Sequence, residues 1–160
     1  ALSALELLGE KPCLEAIGRT AELTGFRGRW EQVHRSPDII CDIGHNPAAL
    51  KLNFRQLEQT GRALRIVYGL MADKDLDGIA PHMPSGADYY LCAPRTARAL
   101  DAGVLHARLA ALRPDLRIIM HGTVEEALAC ALRDATEETL IYAGGSTYVV
   151  SETMDFVKSL

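Results

Sequence analysis

Residues 42–46 read Asp-Ile-Gly-His-Asn, and Pro47 follows. Asp42 is an anionic hydrogen-bond acceptor, and His45 is a titratable donor or acceptor near neutral pH. Gly44 permits a tight turn or the close approach of a ligand. The apolar run Ile39-Ile40-Cys41 leads into this cluster, so Asp42 stands where a buried strand would end. Asn46 is a good helix N-cap and Pro47 suits a first helical turn. A helix start by itself accounts for Asn46. It does not account for Asp42 and His45 together, which would point into one crevice.

Two further stretches repeat the arrangement. In "YGLMADKD" (68–75), Gly69, Asp73, Lys74 and Asp75 follow another apolar run. Either Asp73 caps a helix with a solvated charge pair behind it, or these residues form a polar rim on the same crevice. In "AGGSTYVVSE" (143–152), two glycines precede Ser146 and Thr147. Backbone N–H groups and the helix dipole at such a start can hold a phosphate or carboxylate. Arg29, between Gly28 and Trp30, is placed to clamp an anion of the same kind. His82, His106 and His121 are isolated and read as surface or turn residues. No Walker-type G-x-x-x-x-G-K-[ST], no G-x-G-x-x-G after a strand and no G-x-S-x-G elbow is present. The residues thus describe a crevice for a polar substrate, not a self-contained nucleotide-hydrolysing machine.

The elements that must carry these residues recur along the chain. Short apolar runs at 38–41, 65–69, 88–92, 117–120 and 139–143 are rich in Ile, Val and Tyr, as suits strands buried on both faces. Between them Leu50, Phe54 and Leu57 share one helical face. So do Ala102, Leu105, Leu109 and Leu112, and again Val124, Ala127, Leu128, Ala131 and Leu132. Thr123 and Glu126 form a capping-box pattern, and Pro114 stops the helix before it. Residues 29–35 alternate and suit an added edge strand. This succession predicts an α/β, Rossmann-like fold: a mostly parallel sheet of about six strands with helices on both faces. In such a sheet ligands bind at the carboxyl ends of the strands, where the three polar stretches fall. Residues 1–24 lack a strand of their own and read as the helical tail of a preceding unit plus a linker, with the α/β domain at 25–160.

Composition narrows the function classes. The chain has 160 residues, 48% hydrophobic, with a formal net charge of −4 and a pI near 5.7. No Lys/Arg block suggests nucleic acid, and no apolar run is long enough to span a bilayer. No secretory signal is visible. Cys13, Cys41, Cys92 and Cys130 are spaced 28, 51 and 38 residues apart, which gives no metal-binding cluster. They read as small buried thiols in a reducing cytoplasm.

Taken in order, Arg27-Gly28-Arg29-Trp30-Glu31, Asp42-Ile43-Gly44-His45-Asn46-Pro47, the Met71/Asp73/Lys74/Asp75 group and Gly145/Ser146/Tyr148 resemble the carboxy-terminal domain of folylpolyglutamate synthase/dihydrofolate synthase, within the Mur ligase superfamily. The resemblance covers nearly the whole chain. It departs from the family's D-G-A-H-N-P in the two small residues after the aspartate, and from P-G-R-x-E in carrying Arg27.

The resemblance implies an ATP- and Mg²⁺-dependent ligase that joins L-glutamate to dihydropteroate or folate through an acyl phosphate. It implies that the P-loop and most metal ligands belong to an amino-terminal domain that this sequence lacks, so that the chain alone is expected to be inactive. It assigns Asp42 to the nucleotide, on the ribose side, and Arg29 to the phosphates, with Asn46 and Lys74 also on the nucleotide side. His45 and Ser146 are expected to place the glutamate. The alternatives are another Mur-type amino-acid ligase domain and a non-catalytic nucleotide-binding α/β module.

Overall fold

The computed structural model describes Glu15, Ala16 and residues 19–160. Most of the expected helical tail at 1–24, and Cys13 with it, lies outside the described residues. The elements run α1 (Thr20–Thr24), β1 (Glu31–His34), β2 (Asp38–Asp42), α2 (Pro47–Gln59), β3 (Ala63–Tyr68) and α3 (Leu76–Ile79), followed by a 3₁₀ turn (Ala80–His82). They continue with β4 (Asp88–Leu91), α4 (Ala102–Leu112), β5 (Arg117–Met120), α5 (Val124–Arg133), β6 (Thr139–Gly144) and α6 (Thr147–Lys158).

Six strands form one sheet in the order β1-β2-β6-β3-β4-β5. Only β1 runs antiparallel, as the added edge strand that the alternation at 29–35 predicts. It begins two residues late because Trp30 adopts a positive φ of 46° and belongs to the preceding turn.

The central strand β6 is buried along its whole length. Its side chains alternate between the two faces. Leu140 and Tyr142 pack with Leu50, Phe54 and Leu57 of α2 and Leu105 and Leu109 of α4. Ile141 and Ala143 pack with Val124, Ala127 and Leu128 of α5 and Val149 of α6. Each fully buried Leu or Phe contributes about 1.5–3 kcal/mol. The Thr123/Glu126 capping box forms as its spacing predicts. Leu112 departs from the expected core face: it ends α4 and is 41% exposed. No described helix is long and apolar enough to cross a membrane.

The order of strands creates the site. The chain passes from β2 to β3 through α2 on one face, leaving a gap that β6 later fills. From β6 it departs through α6 on the other face. Asp42 and Gly144 are register partners, and so are Gly144 and Tyr68. The loops after β2, β3 and β6 therefore start side by side and diverge, which opens a crevice at their carboxyl ends.

Candidate functional site

The floor of the crevice is built around Asp42, which is only 6% exposed. Its Oδ1 accepts from the Gly44 N–H (2.7 Å) and from Asn53 Nδ2 (2.7 Å), and its Oδ2 accepts from the Trp30 N–H (2.9 Å). One carboxylate thus ties the loop before β1, the turn after β2 and helix α2 together. Asn53 also donates to the Tyr142 hydroxyl (3.1 Å), and Trp30 lies against the Tyr142 ring at 6.3 Å between centroids. Burial pushes the Tyr142 hydroxyl well above its ordinary pKa, so it stays neutral.

The Arg27–Glu31 loop is locked on the same frame. Arg27 pairs with Glu31, whose other oxygen accepts from the Gly28 N–H (2.8 Å), and the Gly28 carbonyl accepts from the Ile43 N–H (2.8 Å). The Arg27 hydrogen bond holds the Glu31 carboxyl below the usual carboxylate range. Gly28 has a φ of 78°, and a Cβ there would stand 2.9 Å from side-chain carbons of both Ile43 and Val150. Between these fixed points Arg29 is exposed, its guanidinium 5.6 Å from the Phe26 ring centroid.

Above this floor is a small cavity of about 120 Å³, lined by His45, Met71, Lys74, Arg98, Ser146, Thr147 and Tyr148. His45 Nδ1 lies 3.0 Å from the Ile43 carbonyl. A carbonyl only accepts, so Nδ1 carries the proton, and Nε2 is the nitrogen that accepts whenever the ring is neutral. Ser146 is buried, and its Oγ accepts from the Val149 N–H at 3.2 Å as the cap of α6. Its O–H is left to donate. The first-turn N–H groups of Thr147 and Tyr148 have no intrahelical acceptor and carry the positive end of the helix dipole. Gly145 makes this turn possible: its φ is 94°, and a Cβ there would stand 2.6 Å from the Gly69 carbonyl oxygen.

Lys74 and Arg98 share one counter-ion, Asp73: Lys74 Nζ is 3.0 Å from one oxygen and an Arg98 nitrogen 3.5 Å from the other. The Lys74 hydrogen bond keeps the Asp73 carboxyl below its ordinary range. Arg98 reaches the site because its loop is zipped to the one after β3. The Ala72 N–H bonds to the Arg98 carbonyl (3.0 Å) and the Leu100 N–H to the Leu70 carbonyl (2.8 Å).

The structure thus brings three of the six residues singled out from sequence, His45, Lys74 and Ser146, to one cavity. Asn46 lies beside it, exposed, with its side-chain oxygen capping α2 by accepting from the Ala49 N–H (2.9 Å). Asp42 lies beneath, its carboxylate occupied by internal donors. Arg29 projects separately, outside the cavity wall. The cap of α3 is Asp75, which accepts from the Gly78 N–H (2.9 Å), and not Asp73. Two residues were missed. Arg98 follows the end of β4, where the rule of strand carboxyl ends already pointed. Asn53 is an amide inside a helix, a residue type that helix interiors disfavour. Among the described residues no group of three or more His, Cys, Asp or Glu converges as a metal site would require.

The family described as "Mur ligase, glutamate ligase domain" matches residues 28–147. The sequence is 31% identical, over 86% of this chain and 17% of the relative, to a probable bifunctional folylpolyglutamate synthase/dihydropteroate synthase of Halobacterium salinarum. It is 29% identical, over 98% of this chain and 36% of the relative, to the dihydrofolate synthase/folylpolyglutamate synthase of Escherichia coli K12. Among solved structures, a bifunctional folylpolyglutamate synthase/dihydrofolate synthase of Yersinia pestis complexed with AMPPNP and Mn ion superposes with a TM-score of 0.72 at 26% identity, covering 83% of this chain and 32% of that one. One with Mn, AMPPNP and L-glutamate bound gives 0.70 at 28% identity, covering 83% and 32%. The chain therefore spans little more than a third of its relatives' length at most.

Proposed function

We propose, from the premise that this chain belongs to the Mur ligase family through its glutamate ligase domain, that it supplies the amino-acid half of an active site whose other half is a P-loop ATP-binding domain. The reaction is the addition of L-glutamate to a dihydropteroate or folate. ATP transfers its γ-phosphoryl group to the acceptor's carboxylate, giving ADP and an acyl phosphate. The glutamate amine then attacks the acyl carbon, the C–O bond to phosphate breaks, and an amide and inorganic phosphate leave.

One observation carries this reading: a histidine acceptor, two cations and a serine-capped helix start converge on a cavity of about 120 Å³ at the strand ends. That is the inventory a dicarboxylate amino acid needs. Ser146 O–H and the N-terminus of α6 take one carboxylate, and Lys74 with Arg98 takes the other in exchange for Asp73. His45 Nε2 accepts a proton from the ammonium group, which must be deprotonated before it attacks. Asp42 positions: through the Gly44 and Trp30 N–H groups it sets both the His45 turn and the loop that presents Arg29. Arg29, exposed on a rigid loop, meets the nucleotide phosphates when the domains close, and Asn46 stands at the same edge. Among the described residues no group of three or more His, Cys, Asp or Glu converges, so Mg²⁺ accompanying the ATP would be held mainly by the ATP-binding domain. The buried thiols of Cys41 and Cys92 fit a reducing cytoplasm.

The test is isotopic. With the acceptor carboxylate labelled with ¹⁸O, the complete ligase should deliver one ¹⁸O into inorganic phosphate per amide formed, and only with glutamate present. Unlabelled phosphate would exclude the acyl phosphate.

A further inference from the structure

The described chain holds 16 Lys and Arg side chains, and 12 of them pair with a carboxylate. Arg29, Arg35, Lys51 and Arg55 form no close ion pair with a carboxylate among the described residues. Arg29 already has a place in the proposed reaction, and Arg35 acts through space on Asp38, helping to hold that carboxyl below its ordinary range. Lys51 and Arg55 are left, in a protein of net charge −4, and both line a single open cleft of about 500 Å³.

The cleft lies between α2 and the segment around the 3₁₀ turn, with His82 and Ser85 opposite the helix. Arg113 forms part of its wall but is fully committed. It donates to the Ala80 and Met83 carbonyls (2.7 and 2.9 Å) and pairs bidentately with Asp115 (2.8 and 2.6 Å). Pairing with Asp115 also raises its pKa further. Its task is to hold the wall. Lys51 and Arg55 are both exposed and stand one helical turn apart, about 6 Å along the axis. Glu58 continues the same stripe and reverses its charge.

The cleft also has a direction. α2 begins at Pro47, immediately after His45 and Asn46. Pro47 packs on Gly78, where an added Cβ would stand 2.9 Å from the proline ring. α2 then follows α3 and the 3₁₀ turn downward, in contact with both. Lys51 is thus one turn away from the His45 edge and Arg55 two. A chain of carboxylates leaving the active-site edge along this seam would meet Lys51, then Arg55, and then the repelling Glu58.

We propose that this cleft is a second binding site, which takes the γ-linked polyglutamate tail of an acceptor that already carries several glutamates. The inference rests on the ligase reading above, because that reaction adds one carboxylate per turn to its own substrate. The ligand is a flexible polycarboxylate. Two cations at a one-turn spacing grip successive carboxylates, and Glu58 limits how much tail is held.

The experiment uses the complete ligase and acceptors carrying one, two or three γ-linked glutamates. The Lys51→Ala/Arg55→Ala double variant removes two exposed pairs, which corresponds to a loss of roughly 2- to 30-fold in affinity for the long tail. The expected result is a KM raised by that factor for the three-glutamate acceptor and unchanged for the one-glutamate acceptor. Glu58→Gln should shift the preference toward the longer tail. Equal KM changes at every tail length, or none, would overturn the proposal. Direct titration of the complete ligase with free γ-triglutamate separates this inference from the reading beneath it. If no glutamate is ligated, yet the peptide binds wild type and not the double variant, the cleft stands and the reaction falls. If glutamate is ligated and the peptide does not bind, the cleft falls alone. Competition by inorganic phosphate as effective as that by the peptide would mean a small-anion site and also overturn the proposal.

Discussion

Replacing Asp42 by alanine removes the acceptor for three donors at once: the Trp30 and Gly44 N–H groups and the Asn53 amide. A hydrogen bond to a charged acceptor contributes about 1.5–3 kcal/mol, so three independent bonds would sum to about 4.5–9 kcal/mol. Of the three contacts only the one to Gly44 is buried; those to Trp30 and Asn53 are part-buried, and their donors regain water. The expected loss is therefore about 3–5 kcal/mol, a large share of a domain's total of about 5–15 kcal/mol. It should appear in the complete ligase as a fall in this domain's urea midpoint at unchanged m-value, and as a drop in Tm of roughly 10 °C. Asp42→Asn keeps one oxygen for Gly44 and Asn53 but turns an NH₂ toward the Trp30 N–H. It should lose about 1.5–3 kcal/mol, less than the alanine variant. A loss under about 1 kcal/mol for Asp42→Ala would refute the reasoning and leave Asp42 free for a direct ligand contact.

The Glu31 carboxyl titrates below its unfolded value of about 4.3 because Arg27 holds it charged. Its contribution is therefore present above that value and lost as pH falls through the lower folded one, so Glu31→Gln should flatten the acid limb of a stability–pH curve; an unchanged limb refutes this. Gly145→Ala should cost about 2–4 kcal/mol, since a positive φ and contact with the Gly69 carbonyl both oppose a side chain. Denaturant melts that match wild type would contradict it. Burial pushes the Cys41 and Cys92 thiols up to about 12, so maleimide at pH 7 should label Cys130 in the native protein and reach the other two only on unfolding. Native-state modification of Cys41 or Cys92, read by mass spectrometry, would count against their burial.

The architecture was legible because periodicity and burial follow one rule. A strand buried on both faces, such as Thr139–Gly144, reads as an unbroken apolar run, and the Thr123/Glu126 box marks the start of α5 locally. Placement was legible where a polar residue sat directly after a strand end, as with His45 and Ser146, which line one cavity. What stayed hidden was long-range. Nothing in the spacing of Trp30, Asp42 and Asn53 says that one carboxylate joins them, because that depends on where α2 lies over β2 and β6. Arg98 was hidden for a related reason. Its place beside Lys74 is fixed by backbone bonds between two loops, and 24 residues separate the two cations in the chain. The choice between Asp73 and Asp75 as the cap turned on a two-residue boundary, which side-chain type alone does not fix.

The central claim is that the His45 cavity takes glutamate while the nucleotide is held elsewhere. The direct test is a pair of saturation curves, for glutamate and for ATP, on the complete ligase with His45→Ala. His45 is exposed and, among the described residues, its one hydrogen bond is to the Ile43 carbonyl, so the variant should melt as wild type does. The account predicts a glutamate KM raised and a turnover lowered, each by roughly tenfold or more, with the ATP KM changed less than about twofold. Glutamate kinetics like wild type, or a loss confined to ATP, would contradict it.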